Sequence, residues 1–418
     1  MKNILLIDYG ATRVKSISVA LTQSNPDSRE FSTKGSSFLG CRIDNKFFSN
    51  SLIKHLKAAS KKTDISGVVI CSEMHGFCYK YKNYVSEYFS WRFNSSNSNQ
   101  IITQIKEKEW FKNIKIYPRV GLPLVNLLSF CQQKLLKNNT EILFIPQIIC
   151  NNLGKSYGCV HPTLGQSSGL YLKNKDINKI LKTDIKLPKP TQDDFPLLGE
   201  ICVNGKILPV WGGYGDLQAA LYGIKKNTWN INLGTGSQLV YSSNQELDGF
   251  EERAFFDNQN IQCISHLPAG RSLNLFADLL RNIRDEKDNS FFWNKVKLLT
   301  FDKKIFNINN MKVDLNFFEQ NRNFKGGGSV IGLNEKNFNI NDMLLSVIIS
   351  MTKNFIDIIL DSKKKNLQSS IYIYGDLINK IPIMKDIIQY STKNKVTIKS
   401  YSRSPTLINM KKILLKNI

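Results

Sequence analysis

The chain has 418 residues, 42% of them hydrophobic and 11% aromatic, an ordinary globular composition long enough for two domains with cores of their own. Its 57 lysines and arginines outnumber 34 acids for a net charge of +23, yet they are scattered among asparagines and isoleucines without aromatic–basic alternation, so no nucleic-acid partner is expected. No apolar run reaches the length of a membrane span and none opens the chain as a secretory signal; with eight cysteines but no CxxC pair, a cytoplasmic protein with reduced thiols and no membrane partner is expected.

Residues 4–8 have the pattern of a buried strand ending in an acid, 9–13 that of a turn, and 14–20 that of a returning strand. A turn of small residues presents several backbone N–H groups at once, which suits a phosphate. Residues 51–62 read as a helix with Leu52, His55, Leu56 and Ala59 at helical spacing, so His55 is expected to be structural. ISGVVIC at 65–71 reads as a buried parallel strand running into the loop 72–76, and the loop after such a strand is where open α/β sheets place ligand contacts. Residues 122–137 form an apolar helical pattern, 142–153 another apolar run, and 197–208 a hairpin around Asn204–Gly205.

The stretch 207–242 is the most informative. Asp216 follows a Gly-rich turn and precedes the helix-like run 217–222. The strand-like runs 229–233 and 238–241 are joined by Gly234, Thr235, Gly236 and Ser237. A carboxylate beside a phosphate cradle can take a proton from an alcohol or hold a metal, which are parts a phosphoryl-transfer enzyme needs. Taken alone, a hairpin turn and a helix-capping aspartate explain this stretch equally well. Two strand–turn–strand units, each near an aspartate, point instead to two lobes gripping the phosphates of one nucleotide. Neither turn reads GxxxxGK[ST], so this is not a P-loop. Further on, Arg271 opens an amphipathic helix and has a structural salt bridge as its simplest role. Residues 340–360 read as a long helix, 371–374 as a strand ending in Gly375–Asp376, and 396–401 and 405–415 as a last strand and helix.

DYGATRVK, EMHG, GDLQAALYG and LGTGSQL occur in one order along the chain, with weaker matches at YFSWRF, HPTLGQSSGLYL, PAGRSLNLF and IYGDLINKIPIMKDII. Together they resemble the FGGY carbohydrate kinases, a branch of the actin/hexokinase-type ATPase superfamily, and GDLQ and GTGSQL look most like its sedoheptulokinase-type members. The resemblance implies an α/β fold of two actin-like (ribonuclease H-like) domains, mixed sheets flanked by helices, with an interdomain cleft. Domain 1–224 would bind the sugar and carry the catalytic Asp, and domain 225–418 would bind ATP. The implied reaction is ATP-dependent phosphorylation of a hydroxyl of a sedoheptulose-, xylulose- or ribulose-like ketose or related sugar, with ATP and Mg²⁺ as cofactors.

Carried over by motif, Asp216 is the catalytic base, and Asp8 with Asp216 lies near the metal. Gly10, Thr12, Lys15, Gly234, Thr235, Gly236 and Ser237 face the ATP phosphates, while Gly375 and Asn379 lie near the adenosine. Met74, His75 and Trp91, with Asp216, face the sugar. The chain departs from the pattern at Ala11, Glu73, Phe93, Ser95 and Asp376. The departures at Ala11, Phe93, Ser95 and Asp376 motivate an alternative, a catalytically weak relative acting as a sugar-binding or regulatory protein; the presence of both Asp8 and Asp216 weighs against it. An actin-type structural ATPase would have no use for the EMHG loop. Neither the sugar nor the oligomeric state is specified by the motifs, and a homodimer is one option.

Overall fold

The computed structural model describes all residues except 1–2, 22–26, 62, 113–115, 173–175, 304–310, 320, 322–324, 364–369 and 400–403. The chain divides into two compact units, one of Met1–Gly223, Glu252–Asn260 and Tyr401–Ile418, the other of Ile224–Glu251 and Ile261–Ser400. Two pieces of the expected second domain, 252–260 and 401–418, therefore fall in the first unit.

Unit 1 is built on a seven-stranded sheet. Its strands are β1 (Asn3–Tyr9), β2 (Arg13–Ala20), β3 (Phe31–Lys34), β4 (Ile65–Ser72), β5 (Gly154–Ser156), β6 (Leu197–Val203) and β7 (Lys206–Gly215), in the spatial order β5-β6-β7-β4-β1-β2-β3. β1, β4 and β7 run parallel at its centre. NILLIDY and ISGVVICS are apolar on both faces because both faces are covered, as expected of parallel strands. Leu5 and Ile7 point to the face covered by α1 (Lys46–Ser60) and α2 (Ile145–Leu153), while Ile4 and Leu6 point to the other. That second face is covered by Leu407, Met410, Ile413 and Leu414 of the C-terminal helix, Pro405–Asn417, which is why the end of the chain belongs to this unit.

Most of the expected elements form, with local differences. The β6–β7 hairpin turns at Asn204 (φ 51°) and Gly205 (φ 75°), both left-handed, as a two-residue hairpin turn requires. His55 is structural: it is fully buried and its ring nitrogens meet Ser16 Oγ at 2.6 Å and Thr33 Oγ1 at 3.1 Å. The apolar run 142–153 is not one element but the end of a strand, Thr140–Leu143, and then α2, which starts with a proline in its first turn. The expected Gly-rich turn before Asp216 is a bulge inside β7. Gly212 (φ 88°) and Gly213 (φ 74°) break the register with β4, and the strand continues to Gly215 before α3 (Asp216–Ala220) begins.

Unit 2 is organised on a sheet whose neighbouring strands run in the order β10 (Asn260–Leu267), β9 (Ser237–Tyr241), β8 (Trp229–Leu233), β11 (Ile371–Tyr374) and β12 (Val396–Ile398). Helices α4 (Gly270–Ile283), α5 (Ile340–Lys363) and α6 (Ile383–Thr392) pack on it. By length and composition α5 could cross a membrane, contrary to the expectation from the sequence. Its Leu344, Val347, Ile348, Met351, Phe355 and Ile359 are instead buried in the core of this unit, which makes it a core helix.

Removing the side chain of Met410, fully buried against the sheet of unit 1, should destabilise the protein by about 2–5 kcal/mol. Hydrogen exchange in Met410→Ala should rise in residues 3–20. Loss of protection confined to 229–241 would show that the C-terminal helix supports the other unit.

Candidate active site

The parallel strands of unit 1 deliver their C-terminal ends to one edge. Asp8 is the penultimate residue of β1, paired with Cys71 of β4; Glu73 follows β4 directly, and Asp216 follows β7. Such strand ends are where open α/β sheets bind ligands. Three acids from positions 8, 73 and 216 meet here, and their ionisation shows it. Burial raises Asp8 from 3.8 to about 7, the Asp216 charge pushes it further in the same direction, and Lys15, its cross-strand neighbour, pulls it back. Burial likewise raises Glu73 to about 7, opposed by Arg92 and reinforced by Asp216. Asp216 is raised to about 6 by burial, opposed by the N–H of Leu217, which donates to its Oδ1 at 2.8 Å, and by Arg253.

Asp216 thus stands at the first position of a helix, its carboxylate held by that helix's own N–H, ionised near neutral pH yet basic for a carboxylate. A group tuned this way can accept a proton from a hydroxyl. Asp8 Oδ1 is buried without a protein partner. A buried carboxylate with an unoccupied lone pair, facing a second acid, is a fit for a divalent cation. Among the described residues no group of three or more His, Cys, Asp or Glu is assembled to hold a metal.

The Gly10–Arg13 turn is buttressed from behind. Gly35 N–H donates to Thr12 O at 2.9 Å and Ser37 N–H to Ala11 O at 2.7 Å. A Cβ on Gly35 would lie 2.4 Å from Ala11 O, so only glycine allows that approach. Thr12 is exposed at the turn, and Lys15 is half-buried beside Asp8.

Met74 and His75 leave β4 toward Asp216: a Cβ on Gly215 would sit 2.8 Å from Met74 Sδ. His75 adopts φ 66°, a left-handed conformation that costs a non-glycine residue on the order of 1 kcal/mol or more and that clusters at functional sites. Its Nδ1 lies 2.7 Å from Ser167 O, so it carries the proton and donates; its Nε2 then accepts from Arg119 Nη2 at 3.1 Å. The imidazole is therefore held neutral, with one nitrogen on the backbone and the other orienting a buried guanidinium. The backbone of Trp91 passes close to Gly121, two residues after Arg119, where a Cβ would lie 1.7 Å from Trp91 O. Arg119 has no signature in YPRVGLP, because only the fold brings 75 and 119 together. Phe93 packs edge-on against Phe89 at 4.8 Å, and Ser95 Oγ bonds Ser98 Oγ at 2.6 Å, so the two positions departing from the family pattern are used for packing and for a turn.

In unit 2, the Gly234–Gly236 turn is exposed and receives the start of α4. Gly270 N–H donates to Gly234 O at 3.2 Å and Arg271 N–H to Thr235 O at 2.8 Å, which sets the turn at a helix N-terminus, a favourable place for an anion. Ser237 is buried, and its Oγ donates to Leu267 O at 3.1 Å; its side chain ties β9 to β10. Arg271, for which a salt bridge is the expectation from the sequence, stacks 3.5 Å from the centre of the Phe318 ring. Gly375 has φ 102°, and a Cβ there would lie 2.0 Å from Leu233 O, so this position needs glycine. Asp376 opens the short turn Asp376–Lys380, and Asn379 is exposed in that turn.

No protein-family model and no curated protein matches the sequence. Solved structures do. The chain matches a xylulose kinase from Lactobacillus acidophilus over 99% of its length and 90% of that chain, with TM-score 0.78 and 16% identity. This is a carbohydrate-kinase fold. The gluconate kinase of Lactobacillus acidophilus matches with TM-score 0.78 at 15% identity, over 99% of this chain and 89% of that one. The ADP-bound glycerol kinase of Plasmodium falciparum matches with TM-score 0.73 at 14% identity, over 99% and 89%. The kinase fold accounts for the mixed sheets and for helices on both faces of the central sheet in unit 1.

Burying Asp8 as an anion works against folding, and the sign can be tested. Its folded pKa lies above the unfolded value of 3.8, so the stability present at low pH is lost as pH rises toward 7. Asp8→Asn should be more stable than the parent at pH 8, on the order of 2 kcal/mol, with the gain shrinking as pH falls from 7 to 4. Urea unfolding at pH 8 and pH 5 checks this; equal changes at both would make Asp8 a structural residue.

Proposed function

We propose that this protein is an ATP-dependent carbohydrate kinase that transfers the γ-phosphoryl group of ATP to a hydroxyl of a ketose or related sugar. The observation that carries the reading is the meeting of Asp8 and Asp216 at parallel strand ends, with Asp216 raised to about 6, in a chain of carbohydrate-kinase fold. Asp216 accepts the hydroxyl proton as the sugar oxygen forms its bond to the γ-phosphorus, and the bond to the bridging oxygen of ADP breaks. Mg²⁺, held by Asp8 and Asp216 with water, supplies charge neutralisation at the phosphates when bound.

In unit 1 the turn of Gly10 and Thr12, with Lys15, is assigned to phosphate. In unit 2 the turn Gly234–Thr235–Gly236 and the backbone of Ser237 are assigned to phosphate, and Gly375 and Asn379 to the nucleoside. The sugar side is assigned to Met74, Trp91 and the pair His75–Arg119, in which the imidazole orients the guanidinium toward substrate hydroxyls. Sedoheptulose-, xylulose- and ribulose-like sugars all suit a hydrogen-bonding site of this kind. No specific observation favours the non-catalytic, sugar-binding alternative.

A panel of ketoses and polyols, screened by coupled ADP release, should reveal ATP turnover that depends strictly on one sugar class. Asp216→Asn should then lower kcat by roughly 10²–10⁴-fold with little change in either KM. In the parent, activity should fall as pH drops through about 6, where Asp216 becomes protonated and loses its basic form. Turnover within a few-fold of the parent in Asp216→Asn would remove Asp216 from the role of base. ATP consumption without sugar would remove the kinase reading itself.

A further inference from the structure

A second buried polar network stands behind Asp216 and has no part in the reaction so far. His161 is buried and caps the short helix Pro162–Gly165. Its Nδ1 accepts the N–H of Thr163 at 3.3 Å and lies 2.7 Å from Thr163 Oγ1. A nitrogen that accepts a backbone N–H carries no proton, so the hydroxyl must be donor to it as well. The ring proton is then on Nε2, which faces Asp194 Oδ1 at 4.0 Å. Asp194 is fixed in turn by the N–H of Asp257, at 3.1 and 3.0 Å from its two oxygens.

With its proton committed to His161, Thr163 Oγ1 is an oriented acceptor, and it takes the N–H of Gly215 at 3.1 Å. The carbonyl of the same threonine accepts Gln218 Nε2 at 3.3 Å, a side chain that also reaches Ala254 O at 3.3 Å. Thr163 thus holds the residue before Asp216 and the residue two after it. This grip falls just past the Gly212–Gly213 bulge, where the register with β4 is broken and the strand end must be re-aimed. The Asp194–His161–Thr163 series is not a nucleophilic triad, since Thr163 is fully buried.

We propose that Thr163, oriented by His161, is a positioning residue for Asp216: it fixes the Gly215 peptide so that the carboxylate stands at the reacting hydroxyl. The inference rests on the reading of Asp216 as the base. A displacement of about 1 Å at a catalytic group is enough to lower turnover by about 10²-fold, so a hydrogen bond one peptide away can govern rate without touching substrate.

The test is Thr163→Val, which keeps the shape and removes the hydroxyl, beside Thr163→Ser, which restores it. The valine variant should lose about 10–100-fold in kcat with both KM values within about three-fold of the parent, and the serine variant should recover most of the loss. In parallel, hydrogen exchange is followed by mass spectrometry over residues 213–217, which contain the Gly215 N–H that Thr163 accepts. Exchange there should rise in the valine variant and return to the parent level in the serine one.

A valine variant with kcat within two-fold of the parent overturns the proposal, as does a loss of activity that serine fails to restore. If the parent shows no sugar-dependent ADP release, the kinase reading fails, and exchange at residues 213–217 alone decides whether Thr163 fixes the Gly215 peptide. Should Thr163→Val not fold, His161→Phe removes the acceptor while keeping ring packing against Tyr214 and Phe256; turnover and exchange at residues 213–217 both unchanged there overturn the proposal.

Discussion

Confining three acids at the edge of one sheet is the constraint on which unit 1 depends. β1, β4 and β7 are parallel, so their C-terminal ends coincide, and residues 8, 73 and 216 meet although they are far apart in the chain. Each acid has one cation acting on it, Lys15 on Asp8, Arg92 on Glu73 and Arg253 on Asp216. In none does the cation outweigh burial, and all three carboxyls sit above their ordinary range. The strands leading to that edge are correspondingly apolar on both faces: Leu5, Leu6 and Ile7 in β1, and Val68, Val69 and Ile70 in β4, are fully buried. Hydrophobic burial in the strands offsets charge burial at their ends, and the same desolvation that opposes folding makes Asp216 a better base.

Backbone irregularity at this edge has the same origin. A regular β7 would carry its ladder with β4 straight into α3, and the bulge at Gly212–Gly213 re-aims it. A regular exit from β4 would not place His75 at φ 66°. Both departures are over-determined by polar contacts from one stretch of chain: Ser167 O holds His75, and Thr163 holds Gly215. The segment 161–168 therefore acts on two strand ends at once, and its own hydroxyls on Ser167 and Ser168 are turned inward onto Leu164 O and Gly165 O at 2.6 Å each.

What could be read from the sequence follows from what is local. DYGATRVK and LGTGSQL show their hairpins because strand period and small turn residues are contiguous, and ISGVVIC shows a buried strand because both of its faces are apolar. GDLQ exposes Asp216 as the start of a helix. The bulge was missed because two glycines in a row look the same in a turn and in a bulged strand. Arg119 was missed because its partner lies 44 residues away, and Thr163 because a buried hydroxyl has no pattern until its acceptor and donor are in place. The assignment of residues 401–418 follows long-range burial, which an amphipathic helix signals without naming the sheet it will cover.

The residues proposed for phosphate and those proposed for sugar differ in how their backbone is constrained. Near the proposed phosphate turns, Gly35 in unit 1 and Gly270 in unit 2 each stand where a Cβ would meet backbone oxygen at under 3 Å, and so does Gly375, proposed for the nucleoside. At the sugar end, the polar positions after Trp91 have become Phe93, packed among Phe89 and Phe130, and Ser95, bonded to Ser98. The cationic donor proposed here is instead Arg119, brought in from another segment and hydrogen-bonded to His75. A guanidinium delivered this way offers its donors from a different direction than one on the Trp91 segment would. Selectivity for a hydroxyl depends on leaving no buried donor unpaired, so moving the donor moves the hydroxyl pattern that satisfies it. On the proposed reading, a fold shared at 16% identity with a xylulose kinase leaves the choice of sugar to contacts particular to this chain.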